Sequence, residues 1–208
     1  MGSRSPCSLV SPVSWALGGS GSWAAPTNWS SGAVPNGPTT NVCITDGQSA
    51  VTLNQNASVG SLQLAEGNTV SMLPGLTFMI AGPQFVNEGN FEVNAGTGSN
   101  SILSITKDVE LADPSGDVGG VGFITLNSTS AGSAAFVRGA GHTLTIDPFA
   151  TIQGSGAIGD DGLKVNVIGT IDANESGKAP SLNAGNGGVT MSRTLVERIS
   201  RSTIVLRS

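Results

Sequence analysis

The chain has 208 residues, with 30 glycines, 11% charged residues, and 9 basic against 14 acidic side chains for a net charge of −5. That length suffices for one large domain or a short run of stacked repeats, and the thin, acid-leaning charge argues against nucleic acid and against a basic membrane-binding surface, both of which need clustered Lys and Arg. Apolar residues make up 38% and arrive in regular short bursts, which argues against disorder over most of the length.

Residues 1 to 40 differ from the rest. Met1 to Leu17 carries Arg4 and a mildly apolar stretch broken by Pro6 and Pro12, with no run long enough to span a bilayer or to read as a clear signal peptide. The segment holds all three tryptophans, Trp15, Trp23 and Trp29, and few β-branched runs. We expect an irregular Trp- and Pro-rich N-terminal cap over residues 1–40, because a stack of strands exposes an apolar end that bulky rings cover well. Trp23 and Trp29 are also candidates for a platform on which sugar rings stack, a role ranked below capping. Cys7 and Cys43 have no metal-like spacing; a disulfide between them and two separate thiols both fit the sequence.

From Asn41 the sequence becomes strand, turn, strand: Val42 to Thr45, Ala50 to Leu53, Val59 to Leu64, Thr69 to Leu73, Leu76 to Ile80, Phe91 to Val93, Ile102 to Ile105. Alternation inside these runs, as in Ser61-Leu62-Gln63-Leu64 and Thr143-Leu144-Thr145-Ile146, places aliphatics on one face and hydroxyls and amides on the other. No helical crossovers are legible, so the strands connect by turns. Asn166-Val167-Ile168-Gly169-Thr170-Ile171-Asp172-Ala173 is echoed by Met191-Ser192-Arg193-Thr194-Leu195-Val196-Glu197 (Thr170 to Thr194, 194 − 170 = 24 residues), and by Asn87-Glu88-Gly89-Asn90-Phe91-Glu92-Val93-Asn94-Ala95, 80 residues earlier. We therefore expect residues 41–208 to form a right-handed single-stranded parallel β-helix, a solenoid with turns of about 20 to 25 residues. Its predicted interior is Leu62, Leu64, Leu103, Ile105, Leu144, Ile146, Val165, Val167 and Ile171.

Chemistry-bearing residues are sparse. Glu92, Asp108, Glu110 and Asp172 alternate with apolar residues, as outward acids on a strand face would, and a solvated face is the ordinary explanation. Lys107, Arg138 and Lys164 are widely spaced. Asp113-Pro114-Ser115-Gly116-Asp117-Val118-Gly119-Gly120 is a loop with three glycines whose carboxylates, Asp113 and Asp117, would hold Ca2+ if they hold anything; an Asx turn explains it as well. Gly154-Ser155-Gly156-Ala157-Ile158-Gly159 has the letters of a dinucleotide fingerprint without its βαβ setting, and reads as corner glycines. His142 is the lone histidine, suited to a corner or surface role.

The segments Gly141-His142-Thr143-Leu144-Thr145-Ile146, Ile152-Gln153-Gly154-Ser155-Gly156 and Gly169-Thr170-Ile171-Asp172-Ala173-Asn174, with the opening Gly21-Ser22-Trp23 and Asn28-Trp29-Ser30, resemble the β-helical repeats of bacterial secreted surface proteins, autotransporter passengers and filamentous-haemagglutinin-like adhesins. The resemblance covers about residues 21 to 206, departs from the pattern at Arg193 and Arg201, and ends at Ser208 inside what reads as a strand, as in a truncated member. It implies an extracellular or cell-surface location. The expectation is a non-catalytic structural or adhesive surface with no cofactor, presented to a surface polysaccharide or another extracellular ligand, with no nucleic-acid partner and no membrane span. Copies are expected either to associate end to end through Ser202 to Leu206 or to fray there. The alternative is a carbohydrate-active protein, lyase, hydrolase or binding module.

Overall fold

A computed structural model describes residues 7–114, 122–129, 132–159, 162–172, 180–183, 188–191 and 205–206. Two short strands, β1 (Val13–Ser14) and β2 (Gly21–Ser22), precede a single 3-10 turn at Pro26–Asn28. Strands then come in threes: β3 (Val42–Ile44), β4 (Ala50–Leu53), β5 (Ala57–Val59); β6 (Leu62–Leu64), β7 (Thr69–Met72), β8 (Thr77–Ile80); β9 (Gln84–Asn87), β10 (Asn90–Asn94), β11 (Ser101–Ile105). The pattern continues with β12 (Val109–Ala112), β13 (Phe123–Asn127), β14 (Ala135–Arg138); β15 (Thr143–Ile146), β16 (Thr151–Gly154), β17 (Ala157–Ile158); β18 (Lys164–Val167), β19 (Thr170–Asp172), β20 (Ser181–Leu182); and ends with β21 (Val189–Met191) and β22 (Val205–Leu206).

Each triplet visits three sheets in the same order, and every pairing between named strands is parallel. The first sheet runs β1-β3-β6-β9-β12-β15-β18-β21, the second β2-β4-β7-β10-β13-β16-β19, the third β5-β8-β11-β14-β17-β20-β22. The protein is thus all-β with three parallel sheets of stacked strands, an arrangement consistent with a parallel β-helix. The step between paired residues runs from 19 (Val51 to Val70, 70 − 51 = 19) to 35 (Leu111 to Ile146, 146 − 111 = 35). The longer steps exceed the expected 20 to 25 residues because the chain lengthens at two of the three corners. Residues 113–122 separate β12 from β13, and 128–134 separate β13 from β14. The third-to-first corner stays shorter, at 60–61, 81–83, 106–108, 139–142, 159–163 and 183–188.

Register explains the degenerate repeat. Asn166 pairs with Thr190 and Val167 with Met191, the 24-residue step of the internal echo, while Phe91 stacks through Ile124 and Ile152 onto Ile171, so the 80-residue echo spans three triplets. Thr194 itself lies outside the described residues. Inward positions form one continuous apolar cluster, and of the predicted interior residues only Ile171 is incompletely buried.

The corner from first to second sheet is held by a column of small residues just before each strand: Ser49, Asn68, Gly89, Gly122, Ala150 and Gly169. A Cβ at Gly89 would lie 2.5 Å from the Asn68 carbonyl oxygen, and at Gly169 only 2.1 Å from that of Asp147, so backbone from the preceding turn occupies the space. Asn68 is 1% exposed. Its side chain accepts from the Gln48 and Ser49 N–H groups (3.2 and 3.0 Å) and donates to the Ala65 carbonyl (2.9 Å), satisfying buried backbone on two turns at once.

Two readings change. Val59 to Leu64 is two strands in different sheets: inward Ala57 and Val59 are followed by inward Leu62 and Leu64, and the three-residue interval across Gly60-Ser61 turns the chain. The stack also starts before Asn41, since β1 pairs with β3 and β2 with β4, so residues 1–40 are not wholly irregular.

Cys7 and Cys43 are joined by a disulfide, with Cα atoms 6.0 Å apart. Ser8 donates from its N–H and hydroxyl to the Gln63 side chain (2.8 and 3.0 Å), so the N-terminal arm is fastened across the outside of the first sheet.

Candidate binding surface

Trp23 and Trp29 are 0% and 2% exposed, so neither offers a ring face to a sugar. They are core. Trp15, Trp23 and Trp29 meet edge to face at centroid distances of 4.9 and 4.7 Å, and Trp23 continues onto Phe78 at 5.4 Å. Each indole N–H is satisfied by a backbone carbonyl, Trp23 by Pro35 and Trp29 by Trp23.

Asp113 is 3% exposed and accepts from the Gly122 N–H at 3.3 Å, which uses the carboxylate to close its own loop. Asp117 lies outside the described residues. Among the described residues no group of three or more His, Cys, Asp or Glu is placed to hold a metal ion. The glycines of Gly154-x-Gly156-x-x-Gly159 do serve corners: Gly154 and Gly159 have φ of 102° and 99°.

The four outward acids divide between two sheets and a corner. Asp108, at the corner before β12, accepts from the Thr143 N–H at 2.8 Å. Glu110, on the first sheet, is hydrogen-bonded to Asp147, which follows β15; burial first, then the Glu110 charge and that hydrogen bond, push the Asp147 carboxyl from 3.8 up to about 6. The sequence held no sign of this pair because its members are brought together only by the 35-residue register step.

Glu92 and Asp172 share a column of the second sheet. Outward residues there stack in register as Thr52, Ser71, Glu92, Thr125, Gln153 and Asp172. Six rungs at strand spacing make a polar strip roughly 24 Å long. Its side chains are cross-linked: Gln153 donates to the Thr125 hydroxyl (3.1 Å), Thr125 to Asn90 (2.9 Å), Asn90 to Glu92 (2.9 Å), Asn127 to Asn94 (2.7 Å) and Asn94 to Ser71 (2.9 Å). Holding amides and hydroxyls in fixed rotamers lowers the ordering cost of binding a polar ligand.

No family model matches this chain, and no curated protein or solved structure does either. The arrangement of the outer faces is therefore the basis for a functional reading. No helix among the described residues is long and apolar enough to cross a membrane.

Proposed function

We propose that the chain is a right-handed parallel β-helix, extracellular or surface-displayed, that presents an extended surface and binds a polysaccharide without turning it over. The observation that carries this reading is the hydrogen-bonded strip of the second sheet, a rigid row of donors and acceptors at regular strand spacing, matched in kind to the hydroxyls of a sugar chain. The Cys7–Cys43 disulfide supports an oxidising compartment, and the likeness of residues 141–174 to adhesin repeats supports a surface role. End-to-end association belongs to the same reading, since Ser202 to Leu206 is an apolar, β-branched run suited to pairing with a further strand.

The test is a panel of plant and bacterial polysaccharides screened for binding and for cleavage. Expected are retention on one or more polymers, no release of reducing ends or unsaturated products, and at least tenfold weaker retention when Thr125→Lys places a charge mid-strip. Turnover abolished by Glu110→Gln or Asp147→Asn would establish the enzyme instead.

A further inference from the structure

The outer face of the third sheet is unlike the other two. The second sheet carries Glu92 and Asp172, and the first carries Glu110, with Asp147 beside it; on the third, the described outward residues include one cation, Arg138, and no acid. Around Arg138 the surface dips into an open groove of about 350 Å3, at the lower end of the roughly 300–1,000 Å3 of small-molecule sites. Its wall combines Ile102 with the hydroxyls of Thr77, Ser104 and Thr106 and with His142.

Register builds this groove. Thr77, Ile102 and Phe136 stack in one outward column, and Ser104 pairs with Arg138 in the next. The Arg138 guanidinium lies 3.8 Å from the centre of the Phe136 ring, which fixes its plane. Its Nε is shut away from solvent and has no hydrogen-bond acceptor among the described residues. Asp108, near the rim, is tied to the Thr143 N–H, and exposed Lys107 follows Thr106.

We infer that this groove is a second binding site, separate from the strip on the second sheet, that takes a carboxylate-bearing sugar, a uronic acid unit. A planar guanidinium held by stacking suits a planar carboxylate, which it grips through two N–H groups. The hydroxyl-lined wall suits ring hydroxyls, and Ile102 suits a sugar's C–H face. The site stands whether or not the second-sheet strip binds polysaccharide.

The experiment titrates the full chain, at low and at 0.5 M salt, with an oligouronate of four units, the same oligosaccharide with its carboxyls reduced to alcohols, acetate, and an acidic tetrapeptide. Expected are a millimolar dissociation constant for the oligouronate, at least tenfold weaker binding of the reduced form, of acetate and of the peptide, and weakening in high salt. Arg138→Gln should lose at least tenfold. Arg138→Lys, which keeps charge but not the planar grip, should fall between. Ser104→Tyr fills the groove without altering Arg138 and should block binding while the melting temperature of the chain holds. Equal binding of the reduced oligosaccharide or of the peptide, or unchanged affinity in both Arg138→Gln and Ser104→Tyr, would overturn the inference. Neither variant alters the second-sheet strip, so loss of neutral-polysaccharide retention by Thr125→Lys alone reports on the other surface.

Discussion

Up to residue 94 the interior sets aromatic rings among its aliphatics, and beyond it the described core is aliphatic alone. Each sheet carries one inward phenylalanine early in its stack, Phe78 in the third, Phe85 in the first and Phe91 in the second. The three meet at centroid distances of 5.2 Å (Phe78 to Phe91) and 5.4 Å (Phe85 to Phe91). One rung later the same columns hold Leu103, Leu111 and Ile124, and they continue in Val, Ile and Leu, with Met191 last in the first sheet. The early half also has the tryptophan cluster and the disulfide. Stacked repeats draw stability from each rung and its nearest neighbours, so unequal filling makes unequal halves: the early end should open last, the later one first.

The comparison can be broken at several strengths. Leu144→Asp, in the aliphatic half, buries an unpaired charge at a site 3% exposed and should cost about 5 kcal/mol or enough to unfold that half outright; hydrogen exchange should then show β15 to β18 exposed while β6 to β10 stay protected. If both halves lose protection together, the molecule is one cooperative unit and the division fails. Phe91→Ala should cost about 3–5 kcal/mol and, because its ring touches both Phe78 and Phe85, should lower protection in all three early sheets. Asn68→Ala removes the side-chain hydrogen bonds to Ala65, Gln48 and Ser49, but the Ala65 carbonyl keeps the Asn68 N–H and both amides keep Asp46, so the loss should be about 0.5–1.5 kcal/mol in a denaturant melt.

The smallest effect sharpens the picture at the junction of β12 and β15. Asp147 titrates at about 6 in the folded chain against 3.8 normally. The folded state therefore holds this proton more tightly, and the resulting stability is complete below about pH 4 and lost as pH rises through about 6. Because the carboxyl is half-buried and screened, the effect should stay under about 1 kcal/mol. Asp147→Asn should raise the melting temperature at pH 8 and leave it nearly unchanged at pH 3.5; a gain of equal size at both would refute the assignment.

Much of this architecture is legible in the sequence because strand stacking writes it locally. Leu62 and Leu64, or Leu144 and Ile146, alternate with polar residues, and Gly89 and Gly169 mark the same corner three triplets apart. The merging of Val59 to Leu64 into one strand shows where that reading stops. Period two persists on both sides of a corner, and only the three-residue interval between Val59 and Leu62 betrays the turn. Surface chemistry is harder to see. The hydrogen bonds from Gln153 to Thr125 to Asn90, the Glu110–Asp147 pair and the Arg138 groove all join residues on different rungs, at distances along the chain set by loops whose lengths follow no repeat. Tryptophan exposure is equally invisible, since Trp23 needs Phe78 below it to be core.

The three corners differ in what they permit. At the third-to-first corner a Cβ on Gly82 would fall 2.4 Å from the Gly60 carbonyl oxygen, and no connection from β5 onward there exceeds six residues, whereas the other two corners already carry longer connections such as 113–122 and 128–134. As a scaffold, then, the molecule has one seam kept short and two hems that can be let out. A foreign epitope or a ligand-binding loop grafted between Ala112 and Phe123 would be displayed beside the polar strip at no cost to strand register, while the same insert between Val59 and Leu62 would pry apart the backbone contact that sets the stacking distance.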